Sequence, residues 1–325
     1  MPLNSSNQTQ PPWRIIFFGT AQLACPSLAA LAQNPACQVA GVVTQPDRPK
    51  GRDLKLQPPP VKEEAIRLSL PVLQPERARD PAFVKSLAEL RPALIVVAAY
   101  GQILPPSILD LPTHGCVNVH ASLLPKYRGA APIQWAILND APETGVTIMK
   151  MDPGLDTGDI LSQSATPIQP ADNAQTLHDR LAQMGADLLL NTIPDYISGR
   201  LLPRKQPHEG SSYARKITKE DGRLNWEEHA RPLWNRIRAL TPWPGTFTSL
   251  DLDEATRLIK IWEAVMEEHP EPCPGRIIRA DKQGIVAGCG ADALRILSLQ
   301  LEGGKRMTSQ QFLAGHGIKP GERFR

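Results

Sequence analysis

Asn118 and His120 stand two residues apart at the end of Gly115–His120, a stretch that reads as a buried strand. Side chains two apart on a strand leave the same face, and Val117 and Val119 take the other. At the C-terminal end of a strand in an open α/β sheet, such a face opens on the crevice where ligands bind. An amide donates N–H groups to an oxyanion, and an imidazole moves a proton or donates a second hydrogen bond. The pair suits addition of a nucleophile to a carbonyl carbon. It reads as readily as a hydrogen-bonded pair closing a strand. Further on, Met151–Ile160 (MDPGLDTGDI) sets Asp152, Asp156 and Asp159 among two glycines and a proline. A loop of this composition brings a carboxylate against a histidine and retunes both. It serves equally as an aspartate-capped turn or a weak divalent-cation site, although its spacing is not that of an EF-hand. Between these pieces, Ser122-Leu-Leu-Pro125 followed by Lys126-Tyr-Arg128-Gly129 forms a rigid turn with two positive charges, suited to an anionic small molecule.

The elements that must position these residues follow from periodicity. Arg14–Thr20, Gln38–Thr44 and Ala93–Tyr100 are apolar runs of strand length, as expected of strands buried on both faces. Helical patterns lie between them, at Val61–Leu70 and Pro81–Leu90, with a short strand at Pro71–Gln74 and a further strand at Gly145–Met149. Steady strand–helix alternation predicts a Rossmann-like open parallel sheet with helices on both faces. Asn173–Tyr196 carries Leu177, Leu181, Met184 and Leu188 at helical spacing and reads as a long closing helix. Residues 198–212 (SGRLLPRKQPHEGSS) read as a linker. One helix, about 228–240, and five short strands follow: Phe247–Leu250, Leu258–Trp262, Arg276–Ala280, Gly284–Ala287 and Leu294–Leu299. They predict a smaller, OB-like β-barrel domain. The expected division is a disordered tail over 1–12, a catalytic domain over 13–197, the linker over 198–212 and a C-terminal domain over 213–325.

Composition narrows the function classes. The 33 prolines fall in scattered short clusters and read as rigid turns. Five dispersed cysteines without a CxxC, and seven histidines without ligand spacing, give neither a disulfide framework nor a zinc cluster. No apolar run reaches the ~18 residues of a spanning helix, and the polar start MPLNSSNQTQPP resembles neither a secretory signal nor a transit peptide. A reducing cytosol is therefore expected. Gly288-Cys-Gly290-Ala-Asp-Ala293 loosely imitates a dinucleotide fingerprint, but no helix follows it, and a barrel turn is the better reading. Charge is unevenly spread. Residues 1–200 carry 16 Lys and Arg against 17 Asp and Glu, and residues 201–325 carry 20 against 16. Positions 47–62 hold Arg48, Lys50, Arg52, Lys55 and Lys62 against Asp47 and Asp53. A basic loop and a weakly basic second half suit a polyanionic partner, and equally an ordinary solvated surface.

Asn118-Val-His120, Ser122-Leu-Leu-Pro125, Tyr127-Arg-Gly-Ala-Ala-Pro-Ile-Gln134 and Asp152–Asp159 together resemble the formyltransferase family that uses 10-formyltetrahydrofolate. RIIFFGT and Val96–Pro105 extend the likeness, which runs from about residue 13 to 325. Within that family, the basic proline-rich loop Thr44–Pro60 and the basic C-terminal part with Pro242-Trp-Pro-Gly245 resemble the members that formylate methionyl initiator tRNA.

The resemblance implies that Asn118, His120 and Asp156 are catalytic. It also implies that Ser122, Leu123, Leu124 and Pro125 lie along the folate, that Arg48, Lys50, Arg52 and Lys55 contact the tRNA, Arg52 foremost, and that the OB-like C-terminal domain over 213–325 binds tRNA as well. It implies 10-formyltetrahydrofolate as formyl donor and no metal; the sequence itself, without a spanning run or a long apolar edge, points to no membrane and a monomer. Two alternatives remain at this point: a sibling enzyme formylating a small amine, and a non-catalytic RNA-binding protein. Cys116 shares the face of Asn118 and is expected to be a buried thiol, not a nucleophile.

Overall fold

The computed structural model describes residues 10–50, 55–252 and 255–325. Of the expected N-terminal tail, residues 1–9 lie outside the described residues, as does Arg52. The chain begins with β1 (Trp13–Gly19), α1 (Cys25–Gln33) and β2 (Cys37–Val43). A small hairpin follows, β3 (Arg48–Lys50) with β4 (Lys55–Gln57), then α2 (Pro60–Arg67), β5 (Val72–Leu73) and α3 (Pro81–Glu89). Next come β6 (Leu94–Ala98), α4 (Pro106–Leu109), β7 (Cys116–His120), β8 (Arg128–Gly129) and α5 (Pro132–Leu138). β9 (Glu143–Lys150), β10 (Ile160–Pro167), α6 (Ala174–Ile197) and β11 (Tyr213–Ala214) complete this part. Much of the proline content is explained here. Helices α2 to α5 each begin on a proline, whose fixed φ suits the first helical turn and whose missing N–H is not needed there.

The large sheet has the order β10-β9-β7-β6-β1-β2-β5. β1, β2, β5, β6 and β7 are parallel, whereas β9 runs antiparallel to β7. The expected open parallel sheet is present, with β9 running back antiparallel at one side before a loop leads into β10. Strand order reverses around β1, which puts a topological switch point between β1 and β6. The loops there are tied together: the Thr20 hydroxyl and the Gln45 amide both donate to the Tyr100 carbonyl at 2.8 Å.

The two faces of this sheet are covered differently. Phe18, Val97 and Asn118 are neighbours in register, and Ile16, Ile95 and Cys116 form the row beside them. This face packs on Phe83, Val84 and Leu87 of α3 and on Ile108 and Leu109 of α4. On the other face α6 crosses close to Val119. A Cβ on Gly185 would stand 2.8 Å from the Val119 methyl, so only glycine allows that approach.

The described residues gather into two compact units, one comprising those up to Gly129 with Thr144–Thr166 and His178–Ala214, the other Ala130–Glu143, Pro167–Leu177 and the described residues from Arg215 on. The second unit thus draws on three stretches of chain where the sequence suggests one. Its elements are α5 together with α7 (Ala230–Ala239), β12 (Thr246–Leu252), β13 (Ala255–Glu267), β14 (Ile277–Asp281), β15 (Gly284–Gly288), β16 (Ala293–Leu301), β17 (Met307–Thr308) and α8 (Ser309–Gly315). α5 is held to α7 by the Arg231 guanidinium, which donates to both oxygens of Asp140 at 2.8–3.0 Å.

The antiparallel order β12-β13-β16-β15-β14 leaves β12 and β14 as edges. The C-terminal residues bridge them. Arg325 exchanges backbone hydrogen bonds with Ser249 of β12, at 2.8 and 3.0 Å. Ile277 of β14 donates to Glu322, Gly321 donates back to Ile277, and Phe324 donates to Gly275. Sheet edges left unpaired are a liability, and here a short extended tail satisfies both. Phe324, 2% exposed, stacks on Trp226 at 5.3 Å and 15° inside the core formed by Leu250, Ile261, Ile285, Leu294 and Phe312.

Removing the Phe324 ring leaves a cavity at the point where the tail joins the two edges. Phe324→Ala should therefore destabilise the second unit by about 3 kcal/mol or more. Urea unfolding followed by tryptophan fluorescence checks this; an unchanged midpoint would show that the tail is not a structural part of the sheet.

Candidate active site

All of the following lies within the first unit. β7 delivers Asn118 and His120 to the C-terminal end of the sheet, and the β9–β10 loop carries Asp156 back over them. The loop is braced before it reaches them. Lys150 and Asp159 pair across its neck at 2.8 Å, and Met151 donates to Cys116 at 2.8 Å. The Thr157 hydroxyl and the Gly154 N–H both donate to Asp152, so this aspartate caps the loop and takes no part at the cleft. At Gly158 a Cβ would lie on the Lys150 carbonyl, so the neck closes only around glycine.

The Asn118 amide donates to Asp156 Oδ1 at 3.4 Å, and His120 Nδ1 stands 3.7 Å from Asp156 Oδ2. The Gly129 N–H donates to the same Oδ2 at 2.9 Å. On the far side of the ring, His120 Nε2 lies 3.0 Å from the Tyr127 carbonyl. A carbonyl only accepts, so Nε2 carries a hydrogen. Nδ1 is then the nitrogen that gains or loses a proton, and it faces the carboxylate. His120 is 5% exposed and the Asp156 side chain 15%, so charge developing between them meets little solvent screening. One amide N–H of Asn118 reaches Asp156; the second is available to an oxyanion.

Holding Asp156 there requires backbone work. Its φ of 52° is in the left-handed region, which aspartate tolerates better than most residues but which still stores strain. Gln206 supplies the restraint: its amide donates to the carbonyls of Asp156 and Gly158 at 2.9 and 2.7 Å. Arg128 grips the other end of Gln206, Nε and Nη2 both donating to Oε1 at 3.0 and 2.7 Å. Arg128 and Gly129 are fixed in turn by pairing with Tyr213 and Ala214 of β11. Gly129 has φ 114°, and a Cβ there would come 2.7 Å from the Tyr213 ring and 2.8 Å from the Ala214 carbonyl. Sequence reading missed Gln206 altogether. It lies in the stretch read as a linker, and the only available signal was that this stretch is long.

Ser122–Pro125 forms the turn beneath this cluster. Ser122 is fully buried, and its hydroxyl donates to the Lys126 carbonyl at 2.7 Å. The Leu124 N–H donates to Thr147 Oγ1, and the Leu124 carbonyl accepts from Gln163. Leu124 itself is buried with Met149 and Ile160. The polar groups of the turn therefore hold its own shape, and Leu123 and Pro125 are the half-buried surface it presents.

The basic loop is a hairpin with a braced base. Asp47 accepts from Gln74 at 2.8 Å and from Lys62 at 2.8 Å, which holds its carboxyl below the usual carboxylate range. Arg48 stands 3.6 Å from Glu76, both well exposed, a pair worth little. Lys62 is thus paired within the protein, and Lys55 is exposed on β4. Lys50 ends β3 in register with Lys55. Among the described residues, no group of three or more His, Cys, Asp or Glu side chains is placed to hold a metal ion. No helix among them is long and apolar enough to cross a membrane.

A family described as formyl transferase matches residues 13–193, and the description of its C-terminal domain matches residues 216–317. Among curated proteins, the methionyl-tRNA formyltransferase of Geobacter sulfurreducens is 49% identical over 311 residues, covering 96% of each chain. That of Geobacter metallireducens is 49% identical over 95% of this chain and 98% of its own. Among solved structures, an N-formyltransferase from Helicobacter canadensis, complexed with folinic acid and dTDP-3-aminofucose, aligns with a TM-score of 0.63. It is 20% identical and covers 87% of this chain and 98% of its own, a likeness of fold.

Cys116 lies next to the cluster but belongs to the core. It is 1% exposed, and its thiol leans on the carbonyls of Ile108 and Leu109. Burial, with Asp110 adding to it, pushes the thiol up to about 12. Folding therefore holds it protonated. That contribution to stability is complete below the ordinary thiol value of about 8.5 and is lost as pH rises toward about 12. Native protein at pH 8 should leave Cys116 unmodified by iodoacetamide, as read by mass spectrometry, whereas urea should expose it to full labelling. Rapid native labelling would contradict this.

Proposed function

Because the chain belongs to the formyl transferase family, we propose that it transfers the formyl group of 10-formyltetrahydrofolate to the α-amine of methionyl initiator tRNA. The single observation that carries this reading is the 49% identity, over 96% of both chains, to the methionyl-tRNA formyltransferase of Geobacter sulfurreducens. The same reading puts the protein in the bacterial cytoplasm as a monomer, where charged initiator tRNA and reduced folate are both at hand.

The proposed catalytic residues are Asn118, His120 and Asp156. The neutral amine attacks the formyl carbon, a C–N bond forms, and the carbonyl oxygen becomes an oxyanion. Asn118, with one N–H turned to Asp156, offers the other to that oxygen. The amine must lose a proton and N10 of the folate must gain one as its bond to carbon breaks. The Asp156 carboxylate and His120 Nδ1, 3.7 Å apart, form a short route for that transfer. Burial of the imidazole and the Gly129 N–H on Oδ2 support these roles, since they hold the groups in place before substrate arrives. Leu123 and Pro125 are the proposed contacts of the Ser122–Pro125 turn with folate, Ser122 and Leu124 shaping it from within. Arg48, Lys50, Arg52 and Lys55 are the proposed tRNA contacts of the hairpin.

The reading is tested with purified protein, 10-formyltetrahydrofolate and methionine-charged initiator tRNA, alongside charged elongator tRNA and free methionine. Formyl transfer confined to the initiator is expected. Folate binding without transfer to tRNA would favour a small-amine substrate instead. Asp156→Asn keeps the shape and removes the charge, and should lower kcat by at least about a hundredfold with folate binding retained; wild-type turnover would remove Asp156 from the mechanism. Arg52→Ala should lower kcat/KM for charged initiator tRNA more than it alters folate binding, and an equal loss for folate would count against the hairpin as a tRNA contact.

A further inference from the structure

The stretch that leads from α6 to β11 is pinned on both sides of the proposed catalytic cluster. Arg204 exchanges backbone hydrogen bonds with Ile160, at 2.7 and 2.8 Å, where the Asp156 loop enters β10. Ser212 accepts from the Arg128 N–H through its carbonyl at 2.9 Å and from the Tyr127 N–H through its hydroxyl at 2.8 Å, beside the turn that follows β7. Gln206 stands two residues from the first of these pins, half-buried between exposed Lys205 and Pro207. Its backbone is therefore placed before its side chain makes any contact.

The side chain is fully committed. A primary amide offers two N–H donors and two acceptor positions on its oxygen. At Gln206 the nitrogen donates to the carbonyls of Asp156 and Gly158, at 2.9 and 2.7 Å, and the oxygen accepts from Nε and Nη2 of Arg128, at 3.0 and 2.7 Å. The guanidinium only donates, so it dictates which end of the amide faces the loop. The two carbonyls so held flank the left-handed turn at Asp156, φ 52°, which relaxes once its restraint is removed. The group that then moves is the carboxylate facing His120 and Asn118. Resting on the proposed reaction, we propose that Gln206 is a positioning residue for it, acting through Asp156, with Arg128 orienting its amide. The Ser122–Pro125 turn and the hairpin are braced by other groups, Thr147 and Gln163 for the one, Lys62 and Gln74 for the other. Loss of the Gln206 contacts therefore costs turnover and leaves substrate affinity alone, because small misplacements of a reacting group act on the chemical step.

The test measures kcat and KM with 10-formyltetrahydrofolate and methionine-charged initiator tRNA for wild type, Gln206→Ala, Gln206→Glu and Arg200→Ala, with thermal unfolding of each. Gln206→Glu discriminates: its carboxylate keeps the Arg128 fork but has no N–H for the loop carbonyls. Both Gln206 variants should lose about tenfold in kcat, the effect of two forfeited hydrogen bonds, with KM for both substrates unchanged. Arg200→Ala, which removes an exposed arginine paired with Asp195 in the same stretch, should match wild type. Gln206→Ala is then combined with Asp156→Asn. Once the carboxylate is gone it should cost no further kcat, since residues that act through one another are not additive. If wild type formylates charged initiator tRNA while Gln206→Glu keeps its kcat, the inference is overturned and the proposed function stands. The same holds if Gln206→Ala costs an equal factor with and without Asp156→Asn, or if the loss falls in KM alone, as for a merely structural residue. If wild type does not formylate charged initiator tRNA, the proposed function fails and this inference with it.

Discussion

The site depends on one carboxylate being kept where the chain does not readily put it. Asp156 stands 3.7 Å from His120 Nδ1 and 3.4 Å from the Asn118 amide only because its loop is bent into a left-handed residue and held. Three layers do the holding. The Gly129 N–H takes one carboxylate oxygen, Gln206 takes the loop carbonyls, and Arg128 takes Gln206. Beneath them, β8 and β11 pair over two residues, which fixes Arg128 and Gly129 together. Each bond is modest alone, and the network is stiffer than its members because each fixes a group that another depends on.

The sheet explains why these residues meet at all. β7 is parallel to β6, so its C-terminal end opens on the same side as the switch point between β1 and β6. β9 then runs back antiparallel, pairing Thr147 with His120 and Met149 with Asn118. Thr147 uses that position twice, donating to the Ser122 carbonyl and accepting from the Leu124 N–H. The antiparallel strand therefore shapes the turn that follows β7 as well as delivering the loop that bears Asp156. Because β9 ends beside Val117 and Cys116, its loop starts at the N-terminal end of β7 and folds back over the face that carries Asn118 and His120.

In the second unit the same logic of bridging applies to the edges of a sheet. β12 and β14 would expose unpaired backbone, and residues 321–325 pair with both. That arrangement also concentrates charge, since the extended tail places Arg323 and Arg325 beside Arg223. Sequence reading assigned the basic excess of this half to tRNA contact by resemblance, without naming the residues. Charge counts carry no geometry until the backbone brings distant residues together.

Legibility followed the range of the interactions. Apolar runs such as RIIFFG and LIVVA announced buried strands, and the two-residue spacing of Asn118 and His120 announced a shared face, because both are local properties of an extended chain. The glycines of Met151–Ile160 likewise marked a tight loop, and the long quoted motifs were enough to indicate the family. What the sequence determined by itself was therefore the elements, the type of chemistry and the kinship. Only the tertiary structure decided the antiparallel course of β9, the capping role of Asp152, and the roles of Gln206 and of the C-terminal tail. The pairing of β9 with β7 joins residues such as Asn118 and Met149, and Gln206 reaches Asp156 from a different stretch of chain. No local pattern of residue types specifies which of several equivalent carboxylates or amides such a contact will choose.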